Sequence, residues 1–257
     1  MKNILAILLL FCFSFNTKAQ ISPPGLGKGK LAVWGAVGIN QNIAKNWQSN
    51  SYLGLGRIST QNDYNPLKHQ AIVVINQEFY HQFHKNWETS IAASYRIQDD
   101  YSNQFPFNHL KPPYHQEIRL YSRLSYKFNI ERFKITPTIR QEFRKYYDPR
   151  FHHTSEDFQF RTRFRVQFSV SLDKETKHRI AINSEQIMGI SKLYAPNSWT
   201  NFAYKESRFS IYYTYAPLKT PIKISIGYMN NLIGTKKISS VSYVGVDIIF
   251  NNIFGRK

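Results

Sequence analysis

The chain has 257 residues, 42% hydrophobic and 16% aromatic, with 34 Lys+Arg against 16 Asp+Glu and a formal net charge of +18. That length accommodates a sizeable core, and the aromatic content excludes a disordered basic tail. A mean hydropathy of −0.44, with one apolar run at the N-terminus, excludes a bundle of membrane-spanning helices, each of which needs ~20 apolar residues.

That N-terminal run is the first element. Met1–Gln20 places Lys2 before an apolar stretch from Ile4 to Phe15, followed by the small-x-small triplet Thr17-Lys18-Ala19. This order predicts a cleaved secretory signal peptide over residues 1–19 and a single domain over 20–257. The only cysteine, Cys12, lies inside the signal, and Phe11 before it is too large for a lipoprotein site. The exported chain is therefore expected to carry no disulfide and no thiolate metal site. Charge alone favours a nucleic-acid partner; export predicts no nucleic acid.

Strands follow in sequence near 30–41, 47–60, 70–83, 87–98, 115–128, 133–146, 157–172, 178–191, 203–215, 222–233 and 240–251. The clearest is 158–172, FQFRTRFRVQFSVSL. Phe158, Phe160, Phe164, Val166, Phe168 and Val170 fall on one face, and Gln159, Arg161, Arg163, Arg165 and Ser169 on the other. Successive strand side chains point to opposite sides, so period two gives one apolar and one polar face, where a helix would scatter the arginines. Many of these runs exceed the ~5–6 residues usual in soluble sheets and match the ~9–11 needed to cross a bilayer.

Connections alternate. Short turns are expected at 42–46, 84–86, 129–132, 173–177 and 217–221, and longer loops at 61–69, 99–114, 147–156, 192–202 and 234–239. The pattern predicts an all-β fold, a transmembrane antiparallel up-and-down β-barrel closed so that no strand edge is left open. Eleven runs are visible, whereas bacterial barrels usually have even counts. Either Ile21–Gly29 adds a poorly patterned strand or one N-terminal segment is miscounted; the expectation is about twelve, with ten as the fallback.

The chain at this point resembles the DUF2490 family of Gram-negative outer-membrane barrels. The likeness rests on Trp34 in the first strand, on QEIRLYSRLSYKF and TPTIRQEFRKYY, on Asn183-Ser184-Glu185, and on KESRFSIYYTY followed by ISIGYMNNL. It spans most of residues 30–251. It implies a cell outer-membrane location and carries no established activity. Barrels of this kind often end on an aromatic; here Phe254 is followed by Gly255-Arg256-Lys257, and Phe250 or Phe254 is left to serve.

The polar faces give the candidate functional residues. Arg119, Arg123, Arg140, Arg144, Arg161, Arg163, Arg165 and Arg208 are expected to line the lumen with Glu117, Glu142 and Glu185. Arg96, Arg179, Glu78, Glu88, Glu206 and Asp247 join them on the same faces. Two readings stay open. Arg–Glu pairs fill a narrow lumen, or the arginine excess forms an anion-attracting pore or acidic-ligand site. Arg161, Arg163 and Arg165 stack at ~6.6–7 Å intervals, and Glu117 and Glu142 on neighbouring strands are the expected neutralisers.

Trp47, Trp87, Tyr95, Tyr126, Tyr146, Tyr213 and Tyr215 near strand ends suit interfacial aromatic girdles. His109, Lys111, His115, His152 and His153 fall on loops that can meet lipopolysaccharide or phospholipid headgroups. His152-His153 with Ser155, Glu156 and Asp157 is the one dense cluster of catalytic residue types. No nucleophile elbow accompanies it, and a solvated loop is the preferred reading. No metal or cofactor is expected, since the histidines lack spaced further ligands. Gly25-Leu26-Gly27-Lys28-Gly29 lacks the strand that phosphate loops require. The sequence thus predicts a non-enzymatic envelope structural protein or narrow pore with an ion-paired lumen. Its partners would be outer-membrane lipids, lipopolysaccharide and, during biogenesis, the barrel-assembly machinery. The alternatives are a lipid-modifying barrel enzyme and a surface barrel whose basic loops bind an anionic ligand.

Overall fold

Strands with one apolar and one polar face pair edge to edge, and a sheet long enough to curl can close on itself. The computed structural model describes residues 29–234 and 238–255, and among these it contains strands and no helix. The export signal predicted at 1–19 lies outside the described residues, as does nearly all of the segment offered as an extra strand.

The strands are β1 (Leu31–Ala44), β2 (Trp47–Ile58), β3 (His69–His81), β4 (Trp87–Tyr101), β5 (His109–Tyr126), β6 (Phe128–Ile130), β7 (Phe133–Tyr147), β8 (His153–Ser171), β9 (His178–Leu193), β10 (Ser198–Trp199), β11 (Ala203–Tyr215), β12 (Ile222–Ile233) and β13 (Ser239–Asn251). β6 and β10 are short pieces on β7 and β9; the other eleven form a closed wall.

Each wall strand pairs antiparallel with the next, and β8 joins β7 to β9. The ring closes where β1 meets β13 in parallel, from Leu31↔Ser242 to Asn40↔Asn251. The expected count of about twelve is therefore corrected to eleven, and the fully antiparallel barrel to one with a single parallel seam. An odd number of alternating strands leaves the first and last running the same way. Parallel pairing satisfies both edges, so no twelfth strand is required. It also puts Lys30, whose carbonyl accepts from Ser242 N at 3.1 Å, at the opposite mouth from Asn252, which donates to Asn40 O at 2.8 Å.

The strands run further on the loop side than the sequence suggested. β4 continues to Tyr101, β5 starts at His109 and β8 at His153, shortening two of the predicted loops. Ring contacts extend the pairing: His69, Tyr101 and His109 lie with successive centroids 4.3 Å apart, and Tyr101 donates to Gln70 O at 2.9 Å. Pro112 and Pro113 sit beyond the β5–β7 ladder, which begins at Gln116, where a missing N–H is tolerated.

Alternation sets the polarity of the wall. Ile91 is 65% exposed on the outside, while Arg119 is 1% exposed inside. The interior has two sectors. Behind β1–β3, β12 and β13 it is apolar, built on Trp34, Ile72, Val74, Met229, Val241 and Tyr243. Behind β4, β5, β7, β8, β9 and β11 it is charged. Glycines make room for the aromatics: a Cβ on Gly54 would run into the Trp34 ring, and one on Gly227 would run into the ring of Tyr212.

Candidate functional site: an ion-paired lumen

Inward charges on a strand recur every second residue, so neighbouring strands stack their arginines and glutamates into facing ladders. On β5 these are Glu117, Arg119 and Arg123; on β7, Arg140, Glu142 and Arg144; on β8, Arg161, Arg163 and Arg165; on β9, Glu185; and on β11, Arg208 with Glu206. All of them turn into the lumen, and none is exposed.

Four glutamates tie seven arginines into one network. Glu117 accepts from Arg119 Nε at 2.6 Å and from Arg144, with Arg96 at 3.9 Å. Arg119 reaches on to Glu142 Oε2 at 3.4 Å. Glu142 also takes Arg140, and Arg163 Nε at 2.8 Å. Arg163 bridges to Glu185 at 3.4 Å, Glu185 to Arg208 at 3.8 Å, and Arg208 to Glu206 at 2.8 Å. Arg161 closes the chain on Glu206 at 3.2 Å. Arg123 lies outside it, paired with Glu78 at 3.2 Å. Tyr121 joins the two groups: its hydroxyl donates to Glu78 at 2.9 Å, and the Arg140 guanidinium lies 3.5 Å from its ring centroid.

One expected pairing changes. Glu142 does neutralise Arg163, but Glu117 meets none of the 161–165 run. The register puts Glu117 opposite Arg96 and Tyr146, while Arg161 finds Glu206. Arg165 makes no ion pair among the described residues. The sequence reading also left inward Lys134 and Lys223 out of the candidate set, although both keep the inward parity of their strands. It missed Trp34 and Tyr212 as lumen fillers; the glycines facing them were the available signal.

Glu117 and Glu142 are only 2% and 1% exposed, because the arginines that pair with them enclose their carboxylates.

The remaining candidates are on the rims. Trp47, Trp87, Tyr126, Tyr213 and Tyr215 gather outward at the turn end, with Trp47 stacked on His81 at 4.3 Å and Trp87 against Tyr126 at 4.8 Å. Tyr146 is a correction: it points inward and is buried, because even-numbered β7 residues face the lumen. The two loop histidines separate. His153 Nδ1 lies 2.6 Å from Asp157 and stacks on Tyr194, whereas His152 lies 3.4 Å from Asp148. Partial burial pushes the Asp148 carboxyl up, but the His152 and Arg150 N–H groups outweigh it and hold it below the usual range. Glu156 accepts from Gln159 at 2.7 Å and from Ser191. Neither histidine hydrogen-bonds a serine hydroxyl among the described residues.

A family profile described as a protein of unknown function, DUF2490, matches residues 31–241. The chain belongs to the DUF2490 family. The match runs from the start of β1 into β13, so the DUF2490 region contains the whole Arg–Glu network and most of the strands of the wall. No curated protein matches the chain.

Proposed function

We propose that this DUF2490 protein is a non-enzymatic β-barrel of the cell outer membrane, an envelope structural protein whose ion-paired lumen is closed or at most narrowly conducting. The supporting observation is the inverted polarity of the wall: Leu53, Ile75, Ile91, Leu120, Phe164 and Phe168 stand exposed outside while arginines and glutamates are buried inside. In water such a belt exposes large apolar side chains all around, whereas in lipid it is the low-energy arrangement. Wall strands of 12 to 19 residues exceed the ~9–11 needed to cross. No described helix is long and apolar enough to do so. The outward aromatics at the turn end fit an interfacial girdle. Lipids, lipopolysaccharide and the barrel-assembly machinery are the partners this reading calls for.

Membrane fractionation with heat-modifiable gel migration tests the placement. The protein should travel with outer-membrane markers and migrate faster unboiled; recovery in the soluble fraction overturns the reading. Planar-bilayer recording tests the lumen. Wild type should show little or no conductance, and Arg161→Ala with Arg163→Ala should raise it; unchanged conductance removes the pore reading. Replacing His152 and His153 should leave lipid-A and phospholipid profiles unaltered, and a changed profile would favour a lipid-modifying enzyme.

A further inference from the structure

A polar side chain on a lipid-facing wall costs free energy unless its donors and acceptors find partners. Gln77 on β3 finds them: its amide donates to Ser49 Oγ at 2.8 Å and its carbonyl accepts from Ser51. Gln141 on β7 and Gln186 on β9 stand exposed at outward positions and are only half satisfied. Gln141 Oε1 accepts from Thr162 Oγ1 at 2.9 Å. Gln186 Oε1 accepts from Ser207 Oγ, which also meets the Tyr204 hydroxyl at 2.7 Å. Neither amide nitrogen has a hydrogen-bond partner among the described residues.

The register gathers these groups into one polar track. Gln141 lies opposite Ser122 on β5 and Thr162 on β8, and Gln186 lies opposite Ser207 on β11. None of these residues is charged. Apolar side chains bound the track. Ile139 and Phe143 flank Gln141 along β7 at 37% and 47% exposure, and Phe164 faces Gln186 from β8 at 48%. The two amides therefore lie within the apolar belt and away from the girdle at the turn end.

An acyl chain offers these amide nitrogens no acceptor. Another carboxamide does, because its oxygen has two lone pairs and the wall hydroxyl takes one. In a two-fold dimer each residue meets its counterpart reciprocally, so Gln141 of each copy can face Gln186 of the other and both amides are satisfied at once. We propose that the outer face of β7, β8 and β9 is the contact between two copies of this barrel, with the two-fold axis at β8. Gln141 and Gln186 form its polar centre, and Ile139, Phe143 and Phe164 pack around them. The proposal rests on the membrane placement above, since a wall in lipid is what keeps water from the amides.

The test is the association state of the full-length barrel. In membrane vesicles, Phe164→Cys beside the axis should give a disulfide-linked dimer with copper phenanthroline. Leu53→Cys, exposed across the ring on β2, should not. In density-matched neutral detergent, sedimentation equilibrium should show a wild-type dimer. Gln141→Leu with Gln186→Leu should weaken it about tenfold or more, the scale of buried interhelical hydrogen bonds in membranes, while keeping heat-modifiable migration. If the leucine pair fails to fold, the cross-linking variants carry the test. A monomeric wild type overturns the proposal, as does equal association of the folded leucine variant. Linkage of position 164 to a different protein overturns the second-copy assignment. Recovery in the soluble fraction fails the membrane reading, whereas a barrel that travels with outer-membrane markers and stays monomeric fails this proposal alone.

Discussion

Glu142 on β7 takes Arg163 from β8 at 2.8 Å while its other oxygen lies 3.4 Å from Arg119 on β5, so one carboxylate links three adjacent strands. Its side chain is fully buried. Removing it leaves Arg140 without its ion-pair partner and takes one of two carboxylates from Arg119 and Arg163, which keep Glu117 and Glu185. Glu142→Ala should destabilise the folded barrel by about 3–5 kcal/mol, the range for breaking a buried pair. Urea unfolding in detergent checks this; a loss below about 1 kcal/mol would mean the network relaxes around the gap.

Close packing of glycine against aromatic rings in the apolar sector gives a steric prediction. Gly54→Ala and Gly227→Ala each drive a methyl into a ring and should cost about 1–3 kcal/mol. Gly35→Ala is the control, because a Cβ there meets nothing within 4 Å. Thermal melts of the three variants should separate the first two from the third.

The parallel seam predicts a specific cross-link. Val37 and Ile248 are register partners across β1 and β13, and Val37 with Leu53 provides an antiparallel comparison. Both double-cysteine variants should form intramolecular disulfides, visible as altered migration of the unfolded chain. Cross-linking of 37 with 53 but not 37 with 248 would argue for a different closure.

The turn between β8 and β9 is pinned by Asp173, which accepts from His178 N at 2.9 Å and Lys177 N at 3.0 Å. The His178 N–H leads in holding its carboxyl below the usual value of 3.8. A depressed carboxyl stabilises the fold above its ordinary pKa, and that contribution disappears as pH falls through the lowered folded value. Amide exchange at Lys177 and His178, compared between pH values above and below 3.8, should show protection dropping in the acid sample after correction for intrinsic rates. Asp173→Ala should show weak protection in both, and a flat wild-type profile would refute the role.

The barrel wall was largely legible because its signal is local. Alternation along 158–172 names the faces of β8 without any knowledge of its neighbours. What was hidden depends on register and on closure. Glu117 and Glu142 occupy equivalent sites in the sequence pattern, yet only the pairing offset shows that Glu142 serves Arg163 while Glu117 serves Arg119 and Arg144. Tyr146 has the composition of a girdle residue but the parity of a lumen residue, and parity wins. The eleven visible runs were the wall count, and the general preference for even numbers obscured it. Lys134 shares the polar face of its run with Arg140, Glu142 and Arg144, but neither it nor Lys223 entered the lumen set, which was drawn from arginines and acids.

The central claim is that the apolar outer face lies in lipid. Single cysteines at Ile91 and Leu120 outside, and at Ser94 inside, can carry an environment-sensitive fluorophore in vesicles containing brominated lipid chains. The account predicts strong quenching from positions 91 and 120 and little from 94. Equal, weak quenching at all three positions would contradict it.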